Sequence, residues 1–519
     1  MKNKLLAAIS ILALNPVTVS AQVTFNKQWT FSNQPAFAST GQTSEIVAFD
    51  KNTDTLWVAG ITGVNVLNRS TGALIQRIDT SSFGSVNSVA IHNGVAAFAI
   101  ESATRTNAGR VQFYDTATRT LSAGNNNIAV GALPDMLTFT PNGGKLLVAN
   151  EATPTIYGTR ATGNVLGATF NAPSPGNDPV GSVSIIDMAT RTVTATINPN
   201  LAPQTGNNIR TGVGMDFEPE YIAVSKDGSK AFVSLQEANA MGVINLNNNS
   251  FTKVVGLGLK DFNIPGNEID PKVGASIINP ASPVTFASYA VKGLYMPDGM
   301  ASYQSGNRTL VVMANEGDYR EDDADRLTLS TANSGVTGDR VGLRVSNKDS
   351  FASGLIAAGA GSFSIRDADG NLVYDSGSIL DREAHKRGIY DDGRSRDKGV
   401  EPEGVELIEM AGRTFAFIGL ERTTKGAVAI FDITNAENST FIDMIVTDGD
   451  LAPEGLKGFK MDEKYFLAIA NEGNGTTNFG STTLYEVTAV PEPETYAMML
   501  AGLGLLGFAA RRRKTSPAA

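Results

Sequence analysis

The chain contains no cysteine among its 519 residues, and this absence excludes disulfide bonds, thiol chemistry and cysteine-ligated metals. It also contains only two histidines, His92 and His385. A Ser-His-Asp triad and a histidine-rich zinc site both need imidazole as base or ligand, so this scarcity argues against either. Without covalent cross-links, stability must come from a hydrophobic core, which a chain of this length can bury.

Positive charge is scarce as well. Lysine and arginine total 42 against 52 aspartates and glutamates, and the formal net charge is -10. Several of the cations lie in the two terminal segments, so the body between them is more acidic still. Nucleic acid and anionic lipid are poor partners for such a body, whereas cations are good ones.

The composition is that of an all-β protein, with 53 glycines and many short β-branched runs separated by polar turns. Aligned on itself, the chain shows one recurring unit. The unit is Pro-Asp/Glu, a strand of about six residues, a tight polar turn, and a second apolar strand that ends in Asn-Glu or a variant. Five clear copies span 134–151, 219–237, 297–316, 402–421 and 453–472, and two degenerate copies span 44–60 and 86–101.

Most copies continue into a second hairpin. Four antiparallel strands in each of seven repeats predict a seven-bladed β-propeller, which we expect to span residues 22–488. The seventh repeat lacks its outermost strand. Residues 23–31 can supply that strand and close the ring between the two ends of the domain.

The lengths of the connections separate the two faces of the predicted propeller. The turns inside hairpins are short throughout, whereas the long insertions join second to third strands or one repeat to the next. In a propeller these connections share one face, and loops on a rigid scaffold are where binding sites are usually built. The insertions are residues 152–180, 206–218, 260–295, 318–362 and 376–401.

Acidic residues mark both ends of the recurring hairpin. Each first strand begins, and each second strand ends, at the face with the long insertions, so these residues are neighbours on strands about 5 Å apart. The sequence therefore predicts ten carboxylates around the mouth of the channel, as candidate metal ligands. They are Asp135, Glu151, Glu220, Glu237, Asp298, Glu316, Glu403, Glu421, Glu454 and Glu472.

Such a ring needs compensation, because unpaired carboxylates repel and raise one another's pKa values. One solution is Ca²⁺, which takes six to eight oxygen ligands and could include the side-chain carbonyls of Asn150, Asn315 and Asn471. The alternative is a clasp, in which each glutamate accepts backbone N–H groups of the neighbouring repeat and arginines supply the counter-charge. The candidate arginines are Arg320, Arg394, Arg396 and Arg422.

The N-terminal segment has the features of a signal peptide. Lys2 and Lys4 precede an apolar stretch at 5–14, and Val-Ser-Ala at 19–21 offers small residues to signal peptidase. We therefore expect residues 1–21 to be removed on export.

The C-terminal segment combines three elements in order: a Pro-Glu-Pro tripeptide, an apolar run of about fifteen residues and a basic cluster. The run is shorter than the ~20 residues of a stable membrane span, so it predicts a transient anchor or processing helix that contacts the membrane during export. The residues that define the segment are Pro491, Glu492, Pro493, Arg511, Arg512 and Arg513.

Two resemblances follow from these motifs. Residues 490–514 closely resemble the PEP-CTERM sorting signal of Gram-negative bacteria, which implies an exosortase that cleaves near Pro-Glu-Pro and releases or attaches the protein at the cell surface. The segments ANEGDYR, KDFNIPGNEIDP and GRSRDKGVEPEGVEL resemble choice-of-anchor I proteins, bacterial surface propellers with varied C-terminal anchors. That family implies location and fold more firmly than any activity.

The leading hypothesis is an exported, exosortase-sorted propeller that acts as a calcium-dependent binding module at the cell surface or in the extracellular matrix. The alternative is a metal-dependent phosphoesterase similar to the β-propeller phytases, with Arg394, Arg396 and Lys398 receiving the phosphate. A third hypothesis is association with exopolysaccharide through stacking aromatics. The candidate aromatics are Tyr157, Tyr319 and Tyr390.

Overall fold

A computed structural model describes residues 22–33, 42–156, 159–171, 178–211, 217–272, 283–319 and 324–490. Strands dominate these residues and helices are few and short, which confirms the all-β prediction. The predicted signal peptide and sorting helix lie outside the described residues. Among the described residues, no helix is both long enough and apolar enough to cross a membrane.

Seven mainly antiparallel sheets of at least four strands occur among the described residues, and we number them 1 to 7 in chain order. Strand β1 (Gln22–Ser32) comes first in the chain but belongs to sheet 7. Sheet 1 contains β2 (Val47–Asp50), β3 (Thr55–Gly60), β4 (Gly63–Asn68) and β5 (Leu74–Asp79). Sheet 2 contains β6 (Val86–His92), β7 (Val95–Ile100), β8 (Ala108–Asp115), β9 (Thr120–Leu121) and β10 (Asn127–Ala132). Sheet 3 contains β11 (Pro134–Phe139), β12 (Lys145–Asn150), β13 (Ser182–Asp187) and β14 (Thr192–Ile197).

Sheet 4 has five strands. They are β15 (Gln204–Asn207), β16 (Ile222–Val224), β17 (Lys230–Leu235), β18 (Ala240–Asn245) and β19 (Ser250–Leu257). The next insertion contributes β20 (Leu259–Asp261) and β21 (Val291–Leu294). Sheet 5 begins with β22 (Met300–Ser305) and β23 (Arg308–Asn315). An insertion follows with β24 (Arg326–Thr328), α1 (Thr331–Ser334), β25 (Arg344–Ser346) and β26 (Leu355–Ala357). Sheet 5 is completed by β27 (Ser362–Asp367) and β28 (Leu372–Asp375).

The last part of the chain holds helix α2 and the remaining two sheets. Helix α2 (Ile379–Lys386) lies in the insertion before sheet 6. Sheet 6 contains β29 (Pro402–Met410), β30 (Arg413–Leu420), β31 (Gly426–Asp432) and β32 (Thr440–Thr447). Sheet 7 contains β33 (Pro453–Met461), β34 (Lys464–Asn471), β35 (Ser481–Val490) and β1. Short 3-10 turns occur at Pro199–Leu201, Gly338–Arg340, Asp392–Arg394 and Ala436–Asn438.

The first strands of the seven sheets form a closed ring. Each contacts the first strand of the sheet before and after it, and β33 of sheet 7 contacts β2 of sheet 1. The sheets therefore surround a central channel, and the fold is a β-propeller. The strands that line the channel are β2, β6, β11, β16, β22, β29 and β33.

The ring is closed by strand β1. It pairs antiparallel with β35 from Gln22 opposite Val490 to Ser32 opposite Ser481, and it forms the outer edge of sheet 7. Its Val23 is buried in the core between sheets 6 and 7. The predicted closure by residues 23–31 is confirmed, and it covers an edge that would otherwise expose unpaired backbone groups.

Hydrophobic cores lie between neighbouring sheets, because each sheet has an apolar face on both sides. Between sheets 3 and 4, for example, Leu147 and Val183 pack with Val233 and Ile244. The long insertions also form a small core of their own, which includes Phe262, Leu327, Leu343 and Leu355. The insertions are therefore a packed layer above the sheets.

The two faces differ as predicted. All turns between first and second strands are short, and the long connections all lie at the other face. We call these the short-turn face and the insertion face. One difference concerns the insertion predicted at 206–218, because residues Gln204–Asn207 form β15, parallel to β19. On its way to β16 the chain passes β19 at the outer side of sheet 4. There β15 pairs with backbone groups that would otherwise be left without partners.

Neighbouring sheets approach closely where glycine follows the acidic residue of the first strand. A Cβ atom on Gly404 would overlap the backbone carbonyl oxygen of Glu454 in the next sheet, and one on Gly455 would overlap that of Glu45. Gly299 is in the same situation against Glu403. Only glycine permits this approach of two backbones, which accounts for the Pro-Asp/Glu-Gly form of the last three repeats.

We expect Gly404→Ala to lower the free energy of unfolding by about 1–3 kcal/mol, because the added methyl group must push two sheets apart. Gly163→Ala is the matched control, since no atom lies within 4 Å of a Cβ at that position. Chemical denaturation of both variants measures the difference. Equal stability of the two variants would show that the sheets can separate at no cost.

Candidate functional site

An acidic chamber of about 410 Å³ lies where the channel opens at the insertion face. Eight of the ten predicted carboxylates line it: Asp135, Glu151, Glu220, Asp298, Glu316, Glu403, Glu421 and Glu454. Glu237 lies beside Glu151 and Glu220, while Glu472 is half-buried and, after burial and Glu45, contributes to the raised pKa of Glu454. The predicted carboxylates of the chamber therefore come from sheets 3 to 7.

A repeated backbone bend positions the acidic residues. The residue before the proline that opens the recurring unit has a positive φ in four repeats: 43° at Leu133, 45° at Met296, 50° at Glu401 and 52° at Ala452. This conformation is uncommon for residues other than glycine, and residues before proline are ordinarily extended. Strain of this kind concentrates at functional sites, and here it directs the following Pro-Asp/Glu pair into the channel mouth.

Three residues of the site were missed by the sequence interpretation. Glu45 and Asn87 occupy the acidic position in the two degenerate repeats, and Asn87 lines the chamber. Strict alignment of the repeats could have identified both. Glu401 lies directly before Pro402 and groups with Glu316 and Glu421. The pattern marks Glu401 weakly, because only the repeat at Glu218 also has a glutamate before proline, whereas the others have Leu, Met or Ala.

Burial and mutual repulsion raise the pKa values of most of these carboxyl groups. Burial raises the pKa of Asp135 to about 7, with a further contribution from Glu101. Burial and then Glu316 raise the pKa of Glu421 to about 8. For Glu45, burial and then Glu472 raise the pKa to about 7, against a hydrogen bond from Thr43. Burial is also the main cause of strongly raised pKa values at Glu151, Glu220, Asp298, Glu403 and Glu454.

Lys398 compensates one side of the chamber from within. Its Nζ atom lies 2.6 Å from Glu316 Oε1 and 2.9 Å from Glu401 Oε2. Glu316 Oε2 accepts a further hydrogen bond of 2.7 Å from Gln236 Nε2. Burial alone would raise the pKa of Glu316, but the ammonium group of Lys398 and these hydrogen bonds hold it below its usual value. This ammonium therefore occupies the place that a cation would take beside Glu316.

Two arginines add to this compensation. Arg394 Nε donates to Glu401 Oε1 at 2.6 Å, and Arg422 lies 2.6 Å from Glu421 Oε1. Both act as counter-charges to glutamates, which is the role that the clasp alternative gave to arginines. The bonds are between side chains, whereas the clasp alternative also expected the glutamates to accept backbone N–H groups. Arg320 lies outside the described residues. Lys398 is almost fully buried in these contacts, so it is not positioned to receive a phosphate.

Three groups of carboxylates among the described residues are close enough to share a metal ion, with ligand atoms within 4.8 Å of one another. Two of the groups contain Glu316, whose oxygens are both already hydrogen-bonded. The third consists of Glu151, Glu220 and Glu237. Glu220 is 8% exposed, lines the chamber, and has a buried Oε2 atom without a hydrogen-bond partner.

The three asparagines proposed as additional ligands do not line the chamber. Asn150, Asn315 and Asn471 are buried and donate through Nδ2 to a serine that begins the third strand of the same sheet. Their distances to these serine oxygens are 3.2, 3.4 and 3.2 Å. The Asn of the Asn-Glu motif thus holds the sheet together, and only the Glu reaches the channel.

The two described tyrosines that were predicted to stack on exopolysaccharide are buried or half-buried. Tyr319 is 1% exposed and lies between the guanidinium groups of Arg210 and Arg326, so it cannot stack on a sugar. Tyr390 is half-buried against the ring of Phe286. Tyr157 and the six residues of the sorting signal lie outside the described residues.

Comparison with known proteins identifies two matches in the sequence. The family model of the choice-of-anchor I domain matches residues 45–436, and that of the PEP-CTERM protein-sorting motif matches residues 489–514. No protein with a curated description matches the chain.

Solved structures with a similar backbone include hydrazine synthase from Kuenenia stuttgartiensis and the WD40 domain of coronin from Toxoplasma gondii. The hydrazine synthase has a TM-score of 0.47 at 12% identity, covering 87% of this chain and 96% of that chain. The coronin domain has a TM-score of 0.45 at 9% identity, covering 91% of this chain and 88% of that chain. At this level of similarity neither structure bears on the activity of the chain.

Proposed function

The chain belongs to the choice-of-anchor I family and carries a PEP-CTERM sorting motif, so it is an exported protein sorted by an exosortase, and we propose that its propeller is a calcium-dependent binding module of the cell surface or matrix. The acidic chamber is the binding site in this proposal. The cation supplies the positive charge that part of the chamber lacks.

The observation that carries the proposal is the group of Glu151, Glu220 and Glu237. Its three ligand atoms lie within 4.8 Å of one another, and Glu220 keeps a buried oxygen without a hydrogen-bond partner. A buried carboxylate oxygen in this state costs free energy unless something compensates it. On the other side of the chamber Lys398 already supplies that compensation, so we place the cation at sheets 3 and 4.

The chemistry of the donors favours calcium. All of them are carboxylate oxygens, which suit hard cations, and the chain has neither cysteine nor a histidine among these residues. Calcium takes six to eight oxygens, so three carboxylates leave positions for water or for a ligand that enters the chamber. Such a ligand would bind only to the calcium-loaded protein.

The phosphoesterase alternative has less support. Two of its three proposed phosphate contacts, Lys398 and Arg394, are bonded to Glu316 and Glu401. A phosphate group would also meet the remaining carboxylates of the chamber at close range, and like charges repel. Catalysis would therefore need several bridging cations rather than one.

Calcium should stabilise the protein through Glu220. At a concentration of one hundred times Kd, binding adds about 2.7 kcal/mol to the free energy of unfolding. We expect Glu220→Gln to abolish this gain, because the amide keeps the shape of the side chain and removes its charge. The measurement is the melting temperature after chelator treatment, with and without added calcium, together with the calcium content of the purified chain.

The matched control is Glu409→Gln, which removes an exposed glutamate paired with Lys226 on the short-turn face. It should keep the full calcium response. A calcium response that survives in Glu220→Gln would contradict the proposed site. Hydrolysis of a phosphate ester that depends on calcium would favour the phosphoesterase instead.

A further inference from the structure

Both ends of the propeller lie at the short-turn face. In sheet 7 the inner strand β33 begins at the acidic chamber, and Pro453 pairs with Asn471 at the end of β34. Strand β35 starts opposite Asn471 and runs back to Val490, away from the chamber. Val490 is paired there with Gln22, the first residue of β1. The segment that follows Val490 must therefore leave the propeller from the face opposite the insertions.

The distance to the apolar run of the sorting segment is short. Five residues, 491–495, separate Val490 from the run that begins at Tyr496. A fully extended chain covers at most about 3.6 Å per residue, so these five reach no more than roughly 18 Å. While the run is in a membrane, the short-turn face has to lie close to the lipid surface. An attachment made near Pro-Glu-Pro after cleavage would leave from the same point.

The acidic charge of the chamber favours the same orientation, with the short-turn face toward the membrane. The acidic chamber opens on the insertion face, whereas the short-turn face carries half-buried or exposed cations among its acids. They include Lys51, Arg119, Arg191, Lys226, Arg308 and Lys464, of which the last three form ion pairs with glutamates of the same face. A membrane with anionic lipids attracts basic side chains near its surface and repels carboxylates. Electrostatics therefore disfavours an orientation in which the chamber faces the membrane.

We propose that the short-turn face is the membrane-facing surface of the attached protein and that the acidic chamber opens away from the membrane. The length of β35, ten residues, separates the two faces by about 33 Å at 3.3 Å per residue. Ligands consequently reach the chamber from the outside without passing the lipid. The inference rests on strand register and on the sorting segment, and it holds whether or not the chamber binds calcium.

The absence of cysteine makes the test direct, because each introduced thiol is the only one in the chain. Lys226→Cys and Asn307→Cys place a fluorophore in exposed turns of the short-turn face on sheets 4 and 5. Ala332→Cys and Ile264→Cys are the matched controls in exposed positions of the insertions. The full chain, with its C-terminal segment, is incorporated into phosphatidylcholine and phosphatidylglycerol vesicles that contain nitroxide-labelled lipid.

We expect the chain to float with the vesicles and quenching at positions 226 and 307 to exceed that at 332 and 264 by about threefold or more, given the separation of the faces. Two positions on each face distinguish an upright orientation from a tilt toward one sheet. Equal quenching on both faces, or stronger quenching in the insertions, would overturn the proposal. Failure of the full chain to float would overturn it as well, because the segment would then not hold the short-turn face near lipid.

Discussion

Without calcium, the protein should become less stable as the pH rises from 5 to 8.5. Burial and repulsion raise the pKa of Glu45 and Asp135 to about 7 and that of Glu421 to about 8. Each unit of pKa difference between the folded and unfolded states corresponds to about 1.4 kcal/mol. With several such groups, we expect a loss of several kcal/mol across this range. For a domain of this size, each kcal/mol of lost stability lowers the melting temperature by about 1 °C.

The sign follows from proton binding. A carboxyl group with a raised pKa holds its proton in the folded protein at a pH where the unfolded chain has released it. Its contribution to stability is therefore complete below the unfolded pKa, near 4, and is lost as the pH rises through about 7 to 8. Aspartates with lowered pKa values, such as Asp227 at about 2, change stability only below that range.

Melting temperatures measured in chelator at several pH values check this expectation. Saturating calcium should make the profile less steep, because the cation compensates the carboxylates nearest to it. Asp135→Asn should make the chelator profile less steep, since the amide does not titrate. The exposed Glu409→Gln should leave the profile unchanged. A melting temperature that rises steadily from pH 5 to 8.5 in chelator would contradict the assignment of raised pKa values.

Arg210→Met should destabilise the protein strongly. The guanidinium of Arg210, 1% exposed, forms ion pairs with Asp325 and, at 2.7 Å, with Asp349. It also donates a hydrogen bond of 2.8 Å to the backbone oxygen of Glu237. Removing it leaves a buried carboxylate uncompensated, which typically costs about 3–5 kcal/mol. Because the contact with Glu237 is lost too, calcium affinity should fall together with stability.

Arg308→Met is the matched control, because the pair of Arg308 with Glu437 is about half exposed on both sides. Exposed pairs contribute about 0–1 kcal/mol, so this variant should unfold nearly like the wild type. Chemical denaturation of the two variants, followed by calcium titration, gives both quantities. If Arg210→Met and Arg308→Met have the same stability, the insertions are not held to sheet 4 by the buried pair.

Strand periodicity and the recurring unit were enough to predict the propeller, its closure by the N-terminal strand and the division into two faces. These properties depend on neighbours along the chain or on a repeated pattern, both of which are visible in the sequence. The same pattern predicted the acidic ring, and it missed Glu45 only because the first repeat lacks its proline.

The balance of charge within the ring depended on tertiary structure alone. Lys398 and Glu401 come from an insertion without repeats, and the packing of that insertion onto sheet 5 places Lys398 against Glu316. Nothing in the sequence connects residues 82 positions apart when neither belongs to a pattern. The sequence by itself therefore determined most of the carboxylates that meet at the channel. Only the tertiary structure decided that Glu316 is already paired with Lys398 while Glu220 keeps a buried oxygen without a hydrogen-bond partner, because the compensation depends on contacts a few ångströms long between distant segments.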